Sequence, residues 1–534
     1  MCLTAQERTV GVLEVAPEAY ERVQIIPSLD QPYAALINLC GEVLQEWDLD
    51  YLGRTAHFLS DGRLLVSGRI DDGTFGRPGK TGALQIRSWD NQLLWETTFT
   101  AGRYGAHHDV LVTPEETIFV LVWERIDSSQ AIQAGRDTGT VASDIWPEAI
   151  LEIDPVGSDT FDIVWEWHAW DHLIQDRDSS LANFGVISEH PERFDVNRRT
   201  RFDDDWMHAN SLSYDPIKDE IIINSRDWNE FWIIDHSTTS AEARGSTGGR
   251  SGRGGDLLYR WGNPMNYGRG DSTDQRLYAQ HDATFNPDRS DTEGLIISAF
   301  NNNSGIAAPS EAVELIVPLS DGDYPKLVGD DSYAPDDFIF RYSGDPEGVF
   351  DSRVMGSYER LPNGNILTTT SLRGEYYEFT PEGDLAWHYR NPINLFGIAA
   401  QGDTVNGRVF HAYPYELDDP VFDGRDLRPI RETLESDSEG LCDCPFSLIV
   451  STSTIPAVDD DMSITILASK EIEIRFDTKE SRSIVIYSLE GQEVYRQVHE
   501  DQRVAVPLGI LPTGMYAVGA TSQSGLQSKL FFIH

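Results

Sequence analysis

The sequence predicts an all-β protein: six repeated β units followed by a small terminal β-sandwich. Three observations carry this. Runs closing on Trp or Tyr recur six times, as LQEW (44–47), LLWE (93–96), IVWEW (163–167), LYRW (258–261), FIFRY (338–342) and LAWHY (385–389). Turns rich in Pro, Gly and Asp recur between earlier runs, as SDGRLL (60–65), TPEETI (113–118), YDPIKDEI (214–221), NPDRSDTEGL (286–295) and LPNGNIL (361–367). After about residue 430 the composition shifts, and a compact alternating pattern begins at Ser463. Period-2 alternation with aromatic punctuation and frequent turns is what propeller blades need, because each half-buried strand packs one face inward. Six closing strands therefore predict a six-bladed β-propeller.

Taken in order, residues 1–12 read as the residual tail of a signal peptide plus an N-terminal arm. Leu3-Thr4-Ala5 before Gln6 has the small-residue character of a cleavage site. Residues 13–430 hold the propeller. Ala241–Gly255, reading AEARGSTGGRSGRGG, is too Gly-rich for a strand and is expected to be a flexible loop over one end of it. Residues 431–460 form an acidic linker, and 461–534 form the sandwich, from SITIL and EIEIRF through to SKLFFIH.

Composition narrows the function. The formal charge is −46, which argues against nucleic acid and anionic membrane as partners. No apolar run is long enough to span a bilayer as a helix. The four cysteines are Cys2, Cys40, Cys442 and Cys444, and C-x-C is not the spacing of a zinc or redox site. A structural disulfide using Cys442 or Cys444 is the expected role, with its partner open. Neither a metal nor a cofactor is expected.

Three histidines stand out. His108 in GAHHDV and His281 in QHDA each lie six residues before a turn proline, Pro114 and Pro287. His208 in HANS lies eight before Pro216. All three spacings are even, which on regular strands puts the side chains on one face. Asn210 shares that face with His208, and Arg226 follows the next strand. Three imidazoles, an amide and a guanidinium make a cationic pocket suited to a tetrahedral oxyanion such as sulfate or phosphate. Asp109 and Asp282 point to the opposite face, where they can brace neighbouring strands or orient an imidazole.

The strings HHD (107–109), HANS (208–211), NSR (224–226) and QHD (280–282) resemble, in order and spacing, the bacterial arylsulfate sulfotransferases that need no nucleotide sulfate donor. GGDLLYRWGNP (254–264) and RLPNGNIL (360–367) extend the resemblance over about residues 30–420. It implies a six-bladed propeller with its site in the axial channel. By motif, His281 is the nucleophile that takes a sulfuryl group from a phenolic sulfate and passes it to a phenol in ping-pong fashion. His208, Asn210 and Arg226 bind sulfuryl oxygens. His108 exchanges the phenolic proton, although the division of roles between His108 and His208 stays open. The stretch FNNNSG around Asn301–Asn303 is richer in Asn than the family pattern, a departure that bears on acceptor contacts.

The strings IVIYSLEGQEVY (484–495) and LPTGMYAVGA (511–520) resemble the C-terminal sorting domain of type nine secretion cargo, which implies export and a secreted or surface-attached protein. Two rival readings of the propeller are a non-catalytic surface module binding a sulfated ligand and a metal-dependent hydrolase, since fold alone does not fix chemistry.

Overall fold

The computed structural model describes residues 8–435, apart from 72–74, 101, 140–143, 292–293, 328 and 404–405, together with Cys444, Phe446 and the strands between 462 and 533. The signal-peptide remnant, Cys2, Cys442 and most of the acidic stretch lie outside the described residues. Two compact units form, Cys2–Ile449 and Val450–His534.

The first unit is a six-bladed β-propeller with four antiparallel strands to a blade. Each predicted closing run is the fourth strand of its blade: Val43–Asp48, Leu93–Thr98, Thr160–His168, Tyr259–Trp261, Phe340–Tyr342 and Leu385–Arg390. Each predicted turn joins the first strand to the second.

The aromatic punctuation has a packing reason. An indole is mostly apolar but carries one N–H that needs a partner when buried. Trp47 Nε1 donates to the Ser88 carbonyl in the next blade, at 3.1 Å. Trp95 reaches Thr160 in the same way, Trp165 the Thr238 hydroxyl, Trp261 the Pro335 carbonyl and Trp387 the Leu39 carbonyl. In the fifth blade Tyr342 does this with its hydroxyl, to Gly383 O. The repeat is thus a chain of blade-to-blade latches that runs full circle.

The ring is closed twice. Gly11–Val15 adds a fifth strand outside the sixth blade, paired with Leu385–Arg390. Pro414–Tyr415 supplies the innermost strand of the first blade, paired with Val23–Pro27. A disulfide joins Cys40 in the first blade to Cys444, 404 residues away in sequence. Cross-linking so long a stretch restricts the unfolded chain. Cys444→Ser is expected to lower stability by about 2–5 kcal/mol, measured as a fall in thermal midpoint that reductant reproduces in the parent protein.

The Gly-rich segment differs from the expected flexible loop. Its start is a short helix, Ser240–Ala243, closed by a capping box between Thr239 and Glu242. Its glycines allow close backbone approach. A Cβ on Gly255 would fall 2.0 Å from the Ala243 carbonyl oxygen. Trp167 Nε1 donates to Gly255 O at 2.8 Å. The segment is knitted to the third blade, and glycine here serves packing.

The second unit holds two antiparallel sheets. One contains Met462–Leu467, Glu471–Phe476 and Arg503–Pro507. The other contains Glu493–His499, Arg482–Ser488, Gly514–Ser522 and Gly525–Ile533. Alternate residues such as Ile484 and Ile486, and Val504 and Val506, are buried, as a two-sheet core requires.

Candidate functional site

The innermost strands of the second to fifth blades are Leu52–Phe58, Tyr104–Val112, Ala209–Asp215 and His281–Phe285. None is regular. Each shows a register shift against its neighbour, between Gly53 and Ala56, opposite Val120 and Val122, between Ala209 and Ser211, and between His281 and Thr284. His108, His208 and Asp282 take left-handed backbone angles, with φ of 51°, 49° and 57°. Side chains therefore do not alternate strictly, and the even spacings to the prolines do not by themselves fix which way an imidazole points. Bulges of this kind re-aim side chains.

The alternate side chains at these shifts hold the ring together. Asp109 accepts the Leu212 N–H, Ser213 the Phe285 N–H, Asp282 the Tyr358 N–H, Ser357 the Ala412 N–H and Tyr415 the Phe58 N–H. Five of the six inner-strand junctions are spanned in this way. The aspartates of HHD and QHD are thus braces between blades.

The histidines before those aspartates gather at the axis. The His108 and His208 rings lie 4.9 Å apart, edge to face. Arg226 donates its backbone N–H to His208 O at 3.1 Å, and its guanidinium pairs with Asp227. Arg226 and His208 together act electrostatically on His281. Asn210 is placed differently from the others. Its amide N–H donates to Gln280 O at 2.9 Å, and its oxygen accepts from Asn224 at 2.6 Å. It ties the fourth blade to the residue just before His281.

Each imidazole has a defined partner. His281 Nδ1 lies 2.7 Å from Asn302 Oδ1. The Asn302 amide donates to Ser352 O and Met355 O, so its oxygen must face the ring. His281 therefore carries its proton on Nδ1, and Nε2 keeps a lone pair that accepts the Met355 N–H at 3.2 Å. Burial, then the Arg226 charge, lowers the His281 pKa to about 3 against the Asn302 hydrogen bond. The ring is neutral at physiological pH.

His208 is the opposite case. Burial alone would lower it, but the charge and hydrogen bond of Asp205 outweigh burial and raise it. Asp205 is itself oriented by Trp123 Nε1, at 3.0 Å. His208 is therefore poised as a cation.

His108 ends a relay. Glu148 Oε2 lies 2.8 Å from His107 Nε2, and His107 Nδ1 lies 2.9 Å from His108 Nδ1. Burial pushes Glu148 well above the carboxylate range and His107 down to about 3, so this pair is uncharged. The Glu148 Oε1 atom accepts the Ala209 N–H at 2.8 Å, which leaves the acid proton on Oε2 for His107. The series then reads Glu148 O–H to His107 and His107 N–H to His108, which leaves the His108 proton on Nε2. Burial, then the neighbouring imidazoles and Arg54, holds His108 well below the usual value.

Against this geometry, comparison with known proteins is decisive. Residues 56–392 match the arylsulfotransferase (ASST) family, and 468–534 match the secretion system C-terminal sorting domain. The chain belongs to the arylsulfotransferase family. No curated protein matches it. Among solved structures, it resembles the periplasmic gluconolactonase PpgL of Pseudomonas aeruginosa at 11% identity, over 74% of this chain and 100% of that one, with a TM-score of 0.36. It also resembles the β-propeller domain of Myceliophteria thermophila Cps50 (Swd1) at 11% identity, over 77% and 97%, with a TM-score of 0.33.

Four residues around these histidines escape the sequence reading: Asp205, Glu148, Asn302 and Arg54. Glu148 and Asn302 lie 41 and 21 residues from the histidines they hold, and nothing local marks them. Asp205 stands three before His208 in the run DDD at 203–205, which reads as surface charge. Arg54 had a signal in the register. Leu59, Thr113 and Asn286 each close the turn after an inner strand through a backbone hydrogen bond. Arg54, His108 and His281 each stand five residues upstream. Among the described residues, no trio of His, Cys, Asp or Glu has the geometry to hold a metal ion, and no helix is long and apolar enough to cross a membrane.

Proposed function

We propose that this arylsulfotransferase moves a sulfuryl group from a phenolic sulfate to a phenolic acceptor through a sulfohistidine on His281 Nε2. The observation that carries this is the Asn302-fixed tautomer of His281, a neutral ring whose Nε2 keeps its lone pair. In the first half-reaction Nε2 attacks sulfur. The N–S bond forms, the S–O bond to the aryl group breaks, and His108 Nε2–H gives its proton to the departing phenolic oxygen. The relay through His107 from Glu148 restores the proton on the His108 ring. His208 and Arg226 face the sulfuryl oxygens, whose charge needs fixed donors in a site shut off from water. Asn210 acts as a positioning residue through Gln280. In the second half, an acceptor phenol gives its proton to His108 Nε2, the relay runs back through His107 to Glu148, and the phenolic oxygen bonds sulfur as the N–S bond breaks. The C-terminal unit takes the protein to type nine export and a secreted or surface-attached life.

Para-nitrophenyl sulfate with and without phenol is the direct test. Nitrophenol release that requires phenol and is indifferent to chelator is expected. Release that needs a metal and no phenol would overturn the proposal, as would no release.

The pH profile follows from the site. Transfer needs His281 neutral and His208 cationic. With His281 lowered to about 3, its protonation leaves the rate level on the acid side until that region. The rate falls as pH rises through the raised value of His208. The Asp205–His208 contact also stabilises the fold below the ordinary histidine pKa and is lost on the same alkaline rise. Asp205→Asn is expected to move the alkaline limb to lower pH, because burial then dominates His208. A limb that stays in place in that variant would remove His208 from this role.

A further inference from the structure

One wall of the axial channel carries four buried polar atoms with no hydrogen-bond partner among the described residues: Arg54 Nε, His57 Nε2, His411 Nε2 and Tyr413 Oη. Buried polar atoms are nearly always bonded, so four orphans on one wall call for an explanation. They form one cluster. The His57 and Tyr413 rings are 5.2 Å apart, and the His411 and Tyr413 rings 6.3 Å. The Arg54 guanidinium lies over Phe410, 5.0 Å from its centroid, and Phe410 stacks on His411 at 3.8 Å. His57, His411 and Tyr413 line a cavity of about 1370 Å³ that opens among the strand-joining turns of Pro114, Pro216 and Pro287.

Asp109 and Asp282, which directly follow His108 and His281, also line this cavity, and the His108 ring lies 6.1 Å from Phe410. Backbone packs closely on both imidazoles. Gly79, at φ +94°, lies where a Cβ would fall 1.8 Å from His108 Cε1, and the Met355 N–H sits on His281 Nε2.

Arg54 forms no ion pair among the described residues. Burial lowers its pKa to about 10, still a cation at neutral pH. The carboxylates facing this part of the channel are Asp109, Asp282 and Glu359; burial raises Asp109 and Asp282 to about 7, and Glu359 is exposed. Both Asp109 oxygens accept backbone N–H groups, as does Asp282 Oδ2. The other groups around Arg54 are His107, His108 and His411, all held neutral by burial, and Tyr413, with Arg69 and Arg408 as further cations. The cluster thus lacks one anionic oxygen.

We propose that Arg54, His57, His411 and Tyr413 form the subsite that holds the phenolic oxygen of the acceptor, reached through the axial channel. This rests on the sulfuryl-transfer reading. The two guanidiniums divide the work by position. Arg226 acts on His281 and His208, where the sulfuryl group belongs. Arg54 acts on His107, His108 and His411, where the phenolic oxygen belongs. Arg54 keeps its proton throughout and stabilises the charge on the acceptor oxygen as His108 takes the phenolic proton.

The test is direct binding of para-nitrophenol to the full-length protein, read by absorbance at a pH below the phenol's own pKa. The wild type is expected to bind it as the yellow phenolate. Arg54→Gln should weaken binding about ten- to a hundredfold, Tyr413→Phe should weaken it several-fold, and Arg54→Lys should recover part of the loss. Thermal melting separates this role from a structural one. Removing a half-buried cation that has no ion pair should leave the midpoint unchanged or raise it. Unaltered binding in Arg54→Gln, a lowered midpoint in that variant, or a colourless wild-type complex would each overturn the subsite. If the wild type transfers sulfate while Arg54→Gln binds para-nitrophenol normally, the subsite falls and the transfer reading stands. If the wild type binds the phenolate but transfers no sulfate, the transfer reading falls alone.

Discussion

His281→Asn is expected to abolish sulfuryl transfer while leaving the propeller folded. Asparagine keeps a polar side chain of similar reach, but its amide nitrogen has no lone pair available to attack sulfur. The reaction then loses its covalent route, a loss on the order of 5 kcal/mol or more in the barrier, several powers of ten in rate. The fold should tolerate the change, because the ring's protein contacts are Asn302, the Ala279 carbonyl and the Met355 N–H, and no inter-blade brace runs through it. Quenching the parent protein with donor alone should leave an acid-labile sulfuryl adduct on the peptide containing His281. An adduct on His208 or His108 would reassign the nucleophile, and a fully active His281→Asn would end the covalent mechanism.

The second large effect is expected at His108. Its Nε2–H is the only proton that the Glu148–His107–His108 series directs to the site, so His108→Gln removes the acid and strands the relay. General acid catalysis contributes about 10²–10⁴ in rate, and the full loss should appear with phenyl sulfate, whose leaving oxygen is basic. Para-nitrophenyl sulfate leaves as a stable anion and should lose much less. Glu148→Gln should reproduce the leaving-group dependence in weaker form, since the amide still donates to His107 but cannot pass a proton on. An equal loss on both donors in His108→Gln would mean that His108 positions the sulfuryl group and does not supply the proton.

Some of this is legible in the chain itself. A blade repeats because a half-buried strand must alternate, a tight turn needs Pro, Gly or Asp, and a buried indole needs a partner for its N–H. Those are local demands. They wrote six closing strands from LQEW to LAWHY into the sequence, and with them the blade number. The His108, His208 and His281 strings were visible for the same reason, as polar residues on runs that should be apolar.

The tertiary structure decided what those histidines are. Bulges set by cross-strand hydrogen bonds turn the chain at His108, His208 and Asp282, so alternation along a single strand cannot aim a side chain there. The difference between a neutral His281 and a cationic His208 comes from Asn302, Arg226 and Asp205. Two of these lie on other segments of the chain, and the third is hidden in a run of aspartates. Arg54 and His57 meet Phe410 and Tyr413 only because the ring closes, which brings these two from the far end of the propeller sequence beside the second blade. Sequence determines which strands form and how many blades they make. Burial and contact between distant segments set the protonation and orientation of each group, and these exist only once the ring is shut.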